Sequence, residues 1–193
     1  MMFRLKTQDV HTGNSALAVI AVFLALFASA AARGAETGTV EIPPGTTHLS
    51  RIGIYRVAYQ SYGKESVQMP VGWGGHFEPS SGISYAPNRH ANGRDAILMH
   101  SPWHKPAGRV WVDYRLRLPD VTPVKLKFGI AMGEEYAGKS DGVTFGAFIL
   151  RDGKKKKLLQ QHYTSADWKD VQFDLSSLAG RTVTLRLQVE PGP

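Results

Sequence analysis

Two stretches of this chain alternate strictly between apolar and polar residues, and that period of two decides the fold class. Val110, Val112, Tyr114, Leu116 and Leu118 are interleaved with Trp111, Asp113, Arg115 and Arg117. Val124, Leu126, Phe128, Ile130 and Met132 are interleaved with Lys125, Lys127, Gly129 and Ala131. Side chains of an extended strand point alternately to opposite faces, so each stretch gathers its apolar set on one side of a sheet. Residues 171–175 and 183–189 repeat the pattern, while 143–150 is apolar on both phases, as for a strand central in a packed sheet. Asp152-Gly153 is a hairpin-turn signal leading into 154–163. No stretch after residue 37 carries a helical stripe; 176–179 makes one short turn at most. The pattern predicts an all-β chain of roughly seven to nine strands, a two-sheet β-sandwich of the jelly-roll kind. Residues 37–47 read as an entry segment, and 61–92, rich in Gly, Pro, Ser and Asn, as a long irregular loop.

The first 32 residues have a different character. Residues 1–14 are mostly polar and carry Arg4 and Lys6; 15–32 read SALAVIAVFLALFASAAA, without charge and ending in small residues. A basic start, an apolar centre and an A-x-A exit are the parts of a secretory signal peptide, with cleavage expected between Ala30 and Ala35. The apolar run is slightly shorter than the roughly 20 residues that span a bilayer. No basic stop-transfer cluster comes after it. The expected organisation is a signal peptide at 1–32 and a β-sandwich domain at 37–193, secreted or periplasmic, with no membrane association after cleavage. The mature part is then roughly 160 residues (193 less 32), one domain's worth and enough for a core without cross-links. The chain has no cysteine, so no disulfide contributes.

The formal net charge is +7. Removing Arg4, Lys6 and Asp9 with the leader takes away two positives and one negative and leaves +6. In a cytosolic protein this balance would suggest nucleic acid. Export excludes that partner and points to acidic polysaccharide, lipopolysaccharide or envelope phosphate, with simple colloidal solubility as the alternative meaning of the charge. Arg115 and Arg117 share one face of their strand, and Lys125 and Lys127 share one face of the next. If the two strands pair through the 119–123 turn, the four form an anion-binding patch; in different sheets they do not. Lys154, Lys155, Lys156 and Lys157 after the hairpin turn read as protection of an edge strand against mispairing.

Five segments, 98–103 (LMHSPW), 114–119 (YRLRLP), 140–145 (SDGVTF), 168–175 (WKDVQFDL) and 179–185 (AGRTVTL), closing on Pro-Gly-Pro at 191–193, together resemble the galactose-binding-like jelly rolls of secreted bacterial proteins. They are similar in particular to the carbohydrate-binding modules grouped under the label NPCBM. The resemblance covers about half the chain, residues 96–193, and implies a jelly roll and a glycan ligand. It also implies a further Trp-containing closing segment after Pro-Gly-Pro, so the expectation is either a sandwich cut short of its final strand or one that closes some other way.

Sugar binding needs flat aromatic faces against C–H surfaces and planar polar groups for hydroxyls. Trp73, in a Gly-rich stretch, and Trp103, pinned by Pro102, are the candidates, with Tyr85 and His104 as partners. Trp111 falls on the polar phase of its strand and is expected to face solvent or a second domain. Trp168 reads as core or rim. Ser140-Asp141-Gly142 reads as a turn. With Glu134 and Glu135 it is alternatively a structural calcium site of hard oxygen ligands, the one cofactor the sequence suggests. Catalytic signatures are missing: there is no G-x-S-x-G, no H-E-x-x-H and no thiol nucleophile. Adjacent Glu134 and Glu135 would point to opposite faces of a strand, a poor pair for glycoside hydrolysis. The expected function is a non-catalytic carbohydrate-binding or accessory module. The alternatives are a structural or adhesion domain contacting envelope proteins and, third, a sandwich-type glycoside hydrolase.

Overall fold

A computed structural model describes residues 2–5, 38–70, 72–74, 76–104 and 106–192. The apolar centre of the leader and its expected cleavage site lie outside these residues. Among the described residues the chain is a two-sheet all-β sandwich, with two single-turn 3₁₀ helices, Leu49–Arg51 and Ser176–Leu178, and no α-helix. No helix among them is long and apolar enough to cross a membrane.

The strands are β1 (Met2–Leu5), β2 (Val40–Glu41), β3 (Arg56–Ser61), β4 (Ser66–Gln68), β5 (His76–Phe77), β6 (Ser84–Ala91), β7 (Arg94–His100), β8 (Gly108–Arg117), β9 (Lys125–Ala131), β10 (Val143–Arg151), β11 (Lys154–Tyr163), β12 (Lys169–Asp174) and β13 (Thr182–Pro191). Sheet A runs β12-β9-β1-β7-β6-β5, and sheet B runs β11-β10-β13-β8-β3-β4, with β2 added in parallel to β8. From β7 onward the chain changes sheets at every connection except the β10–β11 hairpin, which laces the two layers together.

The alternation explains the core. Tyr85, Ile97, Met99, Phe128 and Ile130 from sheet A meet Val110, Val112, Tyr114, Phe145, Leu185 and Leu187 from sheet B, all at most 3% exposed. Burying each such side chain contributes about 1.5–3 kcal/mol. Across the core the hydroxyls of Tyr85 and Tyr114 meet at 3.4 Å, which gives each a polar partner where no water reaches. Burial pushes Tyr85 up to about 12 and Tyr114 well above the usual phenol range.

The hairpin signal is confirmed: Asp152 and Gly153 both take positive φ (50° and 71°), the geometry of a tight two-residue turn. β11 is an edge strand of sheet B with Lys154–Lys157 exposed along it, as expected of a guarded edge. The stretch 61–92 departs from expectation, because it contains β4, β5 and the eight-residue β6. Beyond Ala86 the outward part of β6 is Pro87-Asn88-Arg89-His90, and the pairing with β7 shifts register between Ala86 and Arg89. That bulge hides the period of two. β6 and β7 are joined at Asn92-Gly93, again with positive φ at both (46° and 71°). Asn92 Nδ2 donates to the carbonyls of Met132 and Ala166 at 2.7 Å each. Trp168 Nε1 donates to the Asn92 carbonyl at 2.9 Å, so Trp168 is a rim residue that pins this hairpin tip.

Sheet A also contains a strand that the sequence pattern did not announce. β1, from the segment read as a leader, lies antiparallel between β7 and β9, with Met2 opposite Leu98 and Ala131, and Phe3 opposite Ile97 and Ile130. The sandwich therefore draws one strand from outside 37–193.

Candidate functional site

The turn between β5 and β6 and the link between β7 and β8 meet at one end of the sandwich. Glu78 opens the turn: its N–H donates to the Ile83 carbonyl, and its carbonyl accepts from Gly82 N–H. Its carboxylate accepts from the backbone N–H and hydroxyl of both Ser80 and Ser81. The two serine hydroxyls hold this carboxyl down to about 2, because hydrogen bonds to the charged form favour it. The turn then accepts the neighbouring link: Trp103 N–H donates to the Ser81 carbonyl at 3.1 Å, and Gly108 N–H to the Pro102 carbonyl at 3.2 Å.

Gly82 decides where the indole goes. It has φ +77°, and a Cβ there would fall 2.2 Å from Trp103 Nε1 and 2.4 Å from Cδ1. Only a residue without a side chain lets the five-membered ring lie directly on the backbone. Trp103 is nonetheless 57% exposed. His104 packs edge-on against it, ring centroids 4.1 Å apart and planes at 68°. His104 Nδ1 lies 3.2 Å from the Ser80 carbonyl; a carbonyl only accepts, so Nδ1 carries a proton, and in the neutral ring Nε2 is then left as the acceptor. Phe77, 55% exposed, stands on the strand entering the same turn. The result is a fixed, solvent-facing aromatic surface with polar atoms beside it.

Of the residues singled out from the sequence, Trp103 and His104 come together. Tyr85 is 1% exposed and spends its hydroxyl on Tyr114, so it cannot touch a ligand; its place on the inward phase of β6 was masked by the bulge after it. Trp73 is half-buried and packs against the core. The four-cation patch does not form. β8 belongs to sheet B and β9 to sheet A, so Arg115 and Arg117 stand on one layer while Lys125 and Lys127 stand on the other. Glu134, Glu135 and Asp141 are exposed around the 132–142 loop. Among the described residues no three His, Asp or Glu side chains gather as a metal requires. Ser140-Asp141-Gly142 is a turn, with Gly142 at φ +90° and its N–H donating to Ser140 Oγ at 3.2 Å.

The sequence pattern missed the outer face of sheet B. Asp113 lies on the outward phase of β8, yet it is 0% exposed. It accepts from Arg56 Nε at 2.7 Å and from Arg186 Nε and Nη2 at 2.8 and 2.9 Å. Register explains the meeting, since Arg56, Asp113 and Arg186 are opposite one another on β3, β8 and β13. Two residues before Asp113 on the same strand, Trp111 is 7% exposed rather than open to solvent, because the Arg186 guanidinium lies 4.8 Å above its ring. Its Nε1 finds no partner. Phe148, also outward, is covered by Lys155, whose Nζ sits 3.8 Å from the ring centroid. Long cationic side chains lying on aromatic rings close this face. The alternation of polar letters could not reveal that without the register.

No family model matches the chain, and no solved structure does. A search of curated proteins found an uncharacterized protein of Archaeoglobus fulgidus, 34% identical over 77 residues. The match spans 36% of this chain and 19% of that protein.

Proposed function

We propose that this protein is a non-catalytic carbohydrate-binding or accessory module of an exported protein, with Trp103 as its sugar platform. The observation that carries the proposal is an indole more than half exposed yet held in one orientation by Gly82, the Ser81 carbonyl and His104. An exposed aromatic fixed in place loses little entropy on stacking against a sugar ring, the economy that preorganised sites use. His104 Nε2 supplies an acceptor for a hydroxyl. The net positive charge favours acidic polysaccharide, and the leader's three-part pattern supports export.

Affinity electrophoresis against a panel of neutral and acidic polysaccharides tests the proposal. Retardation by at least one polysaccharide is expected. Trp103→Ala should weaken it by about tenfold or more, from an aromatic contact of roughly 1.4 kcal/mol. Gly82→Ala should weaken it comparably while leaving every aromatic in the sequence, because its Cβ takes the space of the indole. No retardation by any polysaccharide, or full retardation of Trp103→Ala, overturns the proposal. The second reading, a structural or adhesion domain, is favoured by Trp73, which packs on the core and does not face outward. It predicts capture of an envelope protein and no response to sugars.

A further inference from the structure

At the far end of β8 from Trp103 the two sheets part around a cavity of about 560 Å³. Leu116, Ile149 and Leu185 form its sheet B wall and Leu126 its sheet A wall; the entry segment around Pro43 and the 119–124 turn form its mouth. Among the described residues that line it, Lys125 carries the only charge, and the rest are aliphatic, proline, glycine or threonine. Protein interiors are packed to crystal density, with few voids larger than a water molecule. An apolar space this large falls within the range of pockets that hold small ligands. Water gains few hydrogen bonds from aliphatic walls, and a sugar would leave its hydroxyls unpaired against them.

We infer that this cavity binds a single alkyl chain ending in an anionic head group, the tail between the sheets and the head at Lys125. Three features fit together. The walls come from both layers, so a tail can be covered on all sides. The mouth is irregular backbone rather than a paired strand, so entry breaks no ladder. Lys125, the only charge among the described residues lining the cavity, opens β9 at this same end of the sandwich, opposite Asp174 of β12. The site is independent of the Trp103 surface and would stand if that surface bound nothing.

The full chain titrated with a dansyl-labelled undecanoic acid tests the inference. A saturable rise and blue shift of dansyl emission, reversed by laurate, is expected. Reversal by monomeric lysophosphatidylglycerol but not by laurate would assign the single chain to a membrane lipid instead of a free acid. Val183→Phe, which projects a ring into the void, should lose tenfold or more of the affinity while the far-ultraviolet circular dichroism stays unchanged. Lys125→Gln, at a half-buried position, should weaken laurate several-fold and leave dodecanol untouched. No saturable emission change, undiminished binding by a folded Val183→Phe, or equal effects of Lys125→Gln on laurate and dodecanol would overturn it.

Discussion

The two sheets of this sandwich hold together in different ways. Sheet B is built on the ten-residue strands β8 and β13, which pair with each other over eight residues, Val110 to Arg117 against Thr182 to Val189, and with β3 and β10 on their outer sides. Both faces of its centre are closed, one by the aliphatic core and the other by arginines and a lysine laid over Asp113, Trp111 and Phe148. Each sheet carries one register shift, in the β6–β7 ladder of sheet A and the β10–β11 ladder of sheet B, but sheet A has shorter strands and a middle in which the four-residue β1 bridges β7 and β9. A layer's cohesion thus depends on ladder length and two-sided cover more than on strand number. Both sheets have six strands along their main path, yet only one of them is continuous without help from residues 2–5.

That contrast can be broken from the strong side first. Asp113→Ala leaves the guanidinium groups of Arg56 and Arg186, 36% and 13% exposed, without their buried counter-charge, and the loss is about 3 kcal/mol, the low end for breaking a buried pair because water reaches Arg56. Urea unfolding should show that loss. If the variant is as stable as the parent, the outer face of sheet B is not what distinguishes it. The Tyr85–Tyr114 contact ties the layers together and responds to alkali. Both phenols are raised in the folded state, so the unfolded chain releases protons first and stability falls as pH rises above 10. For Tyr85 alone, raised to about 12, the loss approaches about 2–3 kcal/mol by pH 12. Tyr85→Phe should flatten that part of the pH–stability curve.

Phe3→Pro addresses the weak side. Proline removes a ladder donor from the middle of β1, at about 1–3 kcal/mol for the acceptor left alone. Hydrogen exchange should quicken at residues 97–98 and 128–131 and stay slow across β8 and β13. Uniform quickening would show that the sheets unfold as one unit and erase the distinction. The smallest effect belongs to the Glu78 turn. Its carboxyl titrates near 2 when folded and near 4.5 otherwise, so what it contributes is present at neutral pH and is lost as pH falls from about 4.5 through 2. Trp103 emission should shift over that window, and Glu78→Gln should abolish the shift.

The sequence announced the parts of this molecule whose neighbours do not matter. Strands β8, β9, β12 and β13 were visible because one face meets aliphatic side chains regardless of which strand lies alongside. Trp103 was visible because Pro102 and the short link confine it. The features that stayed hidden depend on pairing. Asp113 looks like any outward polar residue until β3 and β13 bring Arg56 and Arg186 beside it. β6 loses its alternation at Pro87, and Tyr85 passed for a loop aromatic on that account. The anion patch failed because consecutive strands need not share a sheet. The cavity is invisible to any pattern of letters, since it is set by how far the entry segment and the 119–124 turn stand from the two walls.

β1 has one further consequence. On the export proposal, Met2–Leu5 belongs to a leader that export must engage before it is removed, and in the folded chain the same four residues are a middle strand of sheet A. A single segment cannot be held by both at once, so secretion and folding compete for it. Its partners β7 and β9 are synthesised long after it, which gives export the first opportunity. A chain that escapes capture until β9 has emerged can enclose its own address.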